Sequence, residues 1–86
     1  MSVSQAAQDL FYHQWRSFLE ASKEDRYEPT KMALAIAIRV FTENPELNWI
    51  YRVASYSSLS AVSLDPTEKA TAIFNKMQQL IENPKR

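Results

Sequence analysis

The chain has one histidine, no cysteine and ten Asp and Glu residues, and these set what chemistry is open to it. A hydrolytic triad, a zinc site or an acid–base dyad using imidazole would have to be built on His13 alone. On a helix Asp9 lies one turn before His13, and Arg16 and Glu20 follow on neighbouring turns. That mixed-sign pattern is the pattern of a solvated helix face, so no catalytic role is expected for His13. Two carboxylate pairs stand out, Glu24 with Asp25 and Glu43 with Glu46. Paired carboxylates do acid–base work when their environments push their pKa values apart across a cleft. The first pair sits in a polar, mixed-charge stretch. The second flanks Asn44-Pro45, where negative charge at a helix start is favourable in itself. Neither pair is expected to be catalytic.

Other chemistries are excluded by composition. Without cysteine there is no disulfide and no thiolate metal site. Without glycine there is no phosphate-cradling loop and no dinucleotide-binding fingerprint. The expectation is therefore no enzyme, no catalytic residue, no metal and no cofactor.

Arginine near aromatics can bind single-stranded nucleic acid by stacking. Arg16 adjoins Trp15, and Arg52 adjoins Tyr51 and lies near Trp49 and Tyr56. Yet ten basic residues balance ten acidic ones, so no global field draws the chain onto a polyanion. A nucleic-acid partner is not the expectation. A small nucleic-acid-associated regulatory protein using Arg16, Arg39 and Arg52 is the alternative to the reading given next.

The segment after Pro45 carries two apolar stripes. On a helix Leu47, Ile50, Tyr51 and Ala54 face one way, and Trp49, Val53 and Tyr56 face another. One helix needs two such stripes only if both are covered. Trp, Tyr and Arg are the residue types that dominate binding hot spots. Trp49, Arg52, Val53 and Tyr56 are therefore the expected partner-binding residues. The partner is a protein, either another chain or a second copy forming a homodimer. The expected function is a non-enzymatic protein–protein interaction module: a small regulator, adaptor or inhibitor that covers a partner's surface.

The elements that must position these residues are marked by proline. Glu28-Pro29-Thr30, Asn44-Pro45-Glu46 and Asp65-Pro66-Thr67 read as helix starts, because proline fits the first turn. Asn44 and Asp65 are good N-caps, and Asp65 with Glu68 resembles a capping box, as does Ser2 with Gln5. Pro84 sits near the C-terminus. Four helices are predicted. The first runs from about Ser4 to Ser22, with Ala7, Leu10, Phe11, Trp15, Phe18 and Leu19 as its stripe. The second runs from about Pro29 to Glu43, and the fourth from about Pro66 to Glu82 with Ala70, Ile73, Phe74, Met77, Leu80 and Ile81. The third, from Pro45 to about Ser63, is expected to break or kink near Ser57, since its serines compete for backbone hydrogen bonds.

The second segment is apolar nearly all round from Met32 to Ile38, which marks a central helix or one covered by a partner. It also alternates, with Leu34, Ile36, Ile38 and Val40 on one side. An α+β fold with Leu34–Val40 as a strand is the competing architecture. Alanine at positions 33, 35 and 37 favours the helix. Ala33 with Ala37, and Ala54 with Ser58, let the second and third helices approach closely.

The fold expectation is a compact all-α four-helix domain spanning 1–86. Its core is expected to contain Phe11, Trp15, Phe18, Leu34, Ile38, Phe41, Ile50, Phe74 and Met77. The longest apolar run, Met32–Ile38, falls far short of the roughly 20 residues needed to span a bilayer. No basic stretch followed by an apolar one opens the chain, so no membrane association and a cytoplasmic location are expected.

Overall fold

The computed structural model describes residues 3–23, 27–57 and 66–82, and all of these except Val3, Ser4 and Asn44 lie in α-helices. The helices are α1 (Gln5–Lys23), α2 (Tyr27–Glu43), α3 (Pro45–Ser57) and α4 (Pro66–Glu82). The fold is all-α with four helices, and no strand occurs among the described residues. The strand alternative over Leu34–Val40 is thereby replaced by the middle of α2. Its buried residues explain why: Thr30, Ala37 and Phe41, with half-buried Ala33 and Leu34, recur at helical and not alternating steps.

The proline corners act largely as expected. Asn44 is the one residue between α2 and α3. Its N–H donates to the Val40 carbonyl at 3.1 Å, closing α2, and its own carbonyl accepts from the Asn48 N–H at 2.7 Å, opening α3. Its side-chain Oδ1 accepts from the Leu47 N–H at 3.0 Å. Asn44 is thus the N-cap of α3, and Pro45, lacking an N–H, prevents the two helices from fusing. Helix α2 begins two residues before the expected Pro29, which still lies within the first turn, where its missing donor has no intrahelical partner to lose. At α1 the N-cap is Ser4, whose Oγ accepts from the Ala7 N–H at 3.2 Å. The expected Ser2 and Asp65 caps, the 58–63 continuation of the third helix and Pro84 lie outside the described residues.

Helix α1 packs most extensively on α2, and α3 packs on both α2 and α4. The radius of gyration is 12.5 Å, against about 12 Å expected for a compact chain of this length. The core is aromatic. Phe74 from α4 lies 4.7 Å, ring centre to ring centre, from Trp15, 5.0 Å from Phe18, 5.7 Å from Phe41 and 6.1 Å from Phe11. Phe11, Phe18, Phe41, Ile50, Phe74 and Met77 are buried as expected.

Trp15, Leu34 and Ile38, expected in the core, are only half-buried. Trp15 stacks on Phe74 from the core's edge. Small residues fill the tightest places: Ala7, Ala37 and Ala54 are fully buried. The buried face of α1 comprises Ala7, Phe11, Gln14 and Phe18, with polar Gln14 in the stripe and Leu10 and Leu19 on its exposed shoulders. Helix α2 is not enclosed by this chain, because Met32 and Ile36 are 61% and 55% exposed.

Candidate functional site

Helix α3 is divided lengthwise. Leu47, Ile50 and Ala54 are buried in the core, and Tyr51 is half-buried with its ring 5.9 Å from Phe41. On the other side Trp49 is 64% and Tyr56 71% exposed, with Arg52 also exposed. Val53 is half-buried on the shoulder between the two faces. The four residues expected to bind a partner are brought together: Trp49, Arg52, Val53 and Tyr56, with Pro45 and Asn48, line one surface concavity of about 470 Å³. A smaller concavity of about 250 Å³ continues from Arg52 and Tyr56 to Tyr51 and Ser55. The Ser55 hydroxyl oxygen is buried there without a hydrogen-bond partner among the described residues.

The start of α3 is held in place from outside the helix. Glu46, in its first turn, accepts the Ser4 backbone N–H at 2.9 Å and the Ser4 hydroxyl at 2.5 Å. In a capping box the third residue of the same helix reaches back to the cap's N–H. Here a carboxylate from another helix does so, and the same Ser4 hydroxyl caps α1. The Ser4 side chain and backbone bonds hold the Glu46 carboxyl below the usual carboxylate value. Near the middle of α1, the Tyr12 hydroxyl donates to Glu82 at 2.5 Å, tying α1 to the last turn of α4. Gln78 also donates to Glu82, at 3.1 Å. The Tyr12 and Gln78 bonds lower the Glu82 pKa. Burial first, and then the hydrogen bond and charge of Glu82, raise that of Tyr12.

The residues considered for chemistry are dispersed. His13, Asp9, Arg16 and Glu20 are exposed on α1, where Gln5 donates to Asp9 at 3.0 Å. Glu43 pairs with Arg39 at 3.6 Å on the exposed side of α2, while Glu46 is engaged by Ser4. The two carboxylates therefore serve separate partners. Glu24 and Asp25 lie outside the described residues. Arg16, Arg39 and Arg52 stand on three different helices. No group of three or more His, Cys, Asp or Glu able to hold a metal occurs among the described residues. No helix among them is long and apolar enough to cross a membrane.

Sequence reasoning did not single out the exposed Met32–Ile36 pair as a surface of its own. The all-round apolar run of α2 was its signal. It also missed the Ser4–Glu46 and Tyr12–Glu82 ties, which span 42 and 70 residues and leave no local pattern. Comparison with protein-family models, with curated proteins and with solved structures finds no match.

Proposed function

We propose that the chain is a non-enzymatic protein-interaction module, a small regulator, adaptor or inhibitor that docks a protein partner on the outer face of α3. The observation that carries this reading is the exposure of Trp49 and Tyr56 on one concavity with Arg52 and Val53. Leaving large aromatic surface in water forgoes about 25 cal/mol for each Å² that burial would remove. The inner side of α3 is already supplied by Leu47, Ile50 and Ala54, so these aromatics are not needed to hold the helix to its own core. Trp, Tyr and Arg are the residue types enriched in protein hot spots. A second copy is the first partner to test, because a small domain gains stability on associating.

The experiment is Trp49→Ala combined with Tyr56→Ala. Sedimentation of the pure protein reads self-association, and affinity capture from the native extract reads association with another protein. The double variant is expected to lose whichever association the wild type shows while keeping its helical circular dichroism. A folded double variant that retains every association sinks the reading. His13→Ala is expected to leave association unchanged, since His13 is exposed on α1, outside the α3 concavity.

A further inference from the structure

Leu34 and Ile38 are only half-buried because they border an open cavity, and Ile73 of α4 faces them across it. The cavity holds about 230 Å³ between α2, α3 and α4. Phe41 and Phe74, both almost fully buried, belong to its apolar lining, as does half-buried Tyr51. This open hollow, walled by aliphatic and aromatic groups, leaves Leu34, Ile38 and Ile73 partly exposed. Water gains little there, since it needs several polar partners to stay ordered.

Among the described residues Lys69 is the one charged residue lining this cavity, and no acidic one lines it. Lys69 is half-buried and forms no ion pair among the described residues. Long basic side chains bury their methylene stems against apolar surface and keep the charged head in water, and half-buried Lys69 at this lining fits that habit. The cavity thus offers an apolar hollow and a lysine that no described acidic residue pairs with. A neutral apolar molecule would use only the chamber. A cation would be repelled by Lys69. The complementary ligand has an apolar body and a single anionic head. In size it falls between benzene, which an apolar cavity of about 150 Å³ admits, and the drug-sized ligands of pockets of about 300 Å³ and more.

We propose that this cavity binds a small apolar carboxylate of the medium-chain fatty acid class, with the tail between Leu34, Ile38 and Ile73 and the carboxylate at Lys69. The cavity shares no lining residue with the concavity around Trp49 and Tyr56, so it stands or falls independently of the partner-docking reading.

Titration of the full chain with octanoate, followed by amide and methyl NMR shifts, tests it, with octanol as the uncharged probe. Octanoate is expected to saturate with shifts centred on Leu34, Ile38 and Ile73. Octanol is expected to bind the same residues about tenfold more weakly, the loss of one charge-assisted contact. Lys69→Met keeps the stem and removes the charge. It is expected to bring octanoate down to the affinity of octanol and leave octanol unchanged. Ala70→Leu, which fills the cavity, is expected to abolish binding of both probes, with circular dichroism confirming the fold. The proposal is overturned if octanoate shows no saturable binding, if its shifts fall on Trp49 and Tyr56, or if Lys69→Met binds octanoate as tightly as wild type. Undiminished binding by a folded Ala70→Leu variant overturns it as well.

Discussion

Ser4 and Glu46 share two hydrogen bonds across 42 residues, and through them the first turn of α3 completes the cap of α1. One carboxylate therefore answers to two helix starts. It lies in the favourable first turn of its own helix, and it takes the cap donor that α1 cannot satisfy from within. The helix carrying the exposed aromatics is anchored at the end where Trp49 begins its stripe.

Ser4→Ala removes both the cap of α1 and one bond to Glu46. A loss of about 1 kcal/mol in stability is expected from the cap, read by chemical denaturation. Glu46 also makes stability depend on acid. Its folded pKa lies below its unfolded value, so its contribution is complete above the ordinary carboxylate range and disappears as pH falls through the folded value. Glu46→Gln should flatten that acid limb of the stability curve. An unchanged limb would mean that the Ser4 bonds do not persist in solution.

Tyr12 and Glu82 give a dependence at both ends of the pH scale. Glu82 acts as Glu46 does, losing its contribution as pH falls. The Tyr12 pKa is raised, so its contribution is complete below the ordinary tyrosine value near 10 and is lost as pH rises through the folded value. Tyr12→Phe should remove the alkaline loss and reduce the acid one. Thermal melts from pH 3 to pH 11 for the wild type and this variant would show both changes, using about that range to cover the two ordinary pKa values.

Phe74 touches four other aromatic rings and is almost fully buried. Phe74→Ala is expected to cost about 3–5 kcal/mol, cavity included. Small-domain stabilities lie at about 5–15 kcal/mol, so this variant should be largely unfolded on mild warming. A cost under about 1 kcal/mol would contradict the core described here.

The two tryptophans should be distinguishable by fluorescence. Trp15 stacks at 4.7 Å on Phe74 and is half-buried, whereas Trp49 is mostly exposed. Trp49→Phe should leave a blue-shifted emission that iodide quenches poorly, and Trp15→Phe a red-shifted one that iodide quenches well. Neither Trp49→Ala nor Tyr56→Ala should change the monomer's stability by more than about 0.5 kcal/mol, the usual range for surface positions. Equal quenching of the two single-tryptophan variants at low protein concentration would contradict the exposed position of Trp49.

The four helices were legible in the sequence because helix formation answers to neighbours within a few residues. Proline at 29, 45 and 66, the Asn44 cap and apolar residues at three- and four-residue steps are all local signals. The split of α3 into Leu47, Ile50 and Ala54 against Trp49 and Tyr56 follows from the same 3.6-residue period. That period places residues on faces but does not say how deeply a face is buried. Leu34 and Ile38 carry the right residue types for a core, yet they border a cavity, because the depth of burial there depends on where α3 and α4 come to rest. Phe11, Phe18, Phe41 and Phe74 fill the centre and leave Trp15 at its edge, and Ala7, Ala37 and Ala54 take the innermost places because helices approach most closely over small side chains. The Ser4–Glu46 and Tyr12–Glu82 bonds join residues that the sequence separates by most of a helix pair or more. Only the packing of α1 against its neighbours brings them within hydrogen-bond distance, and with it decides which ends of the helices are tied and which face of α3 remains open.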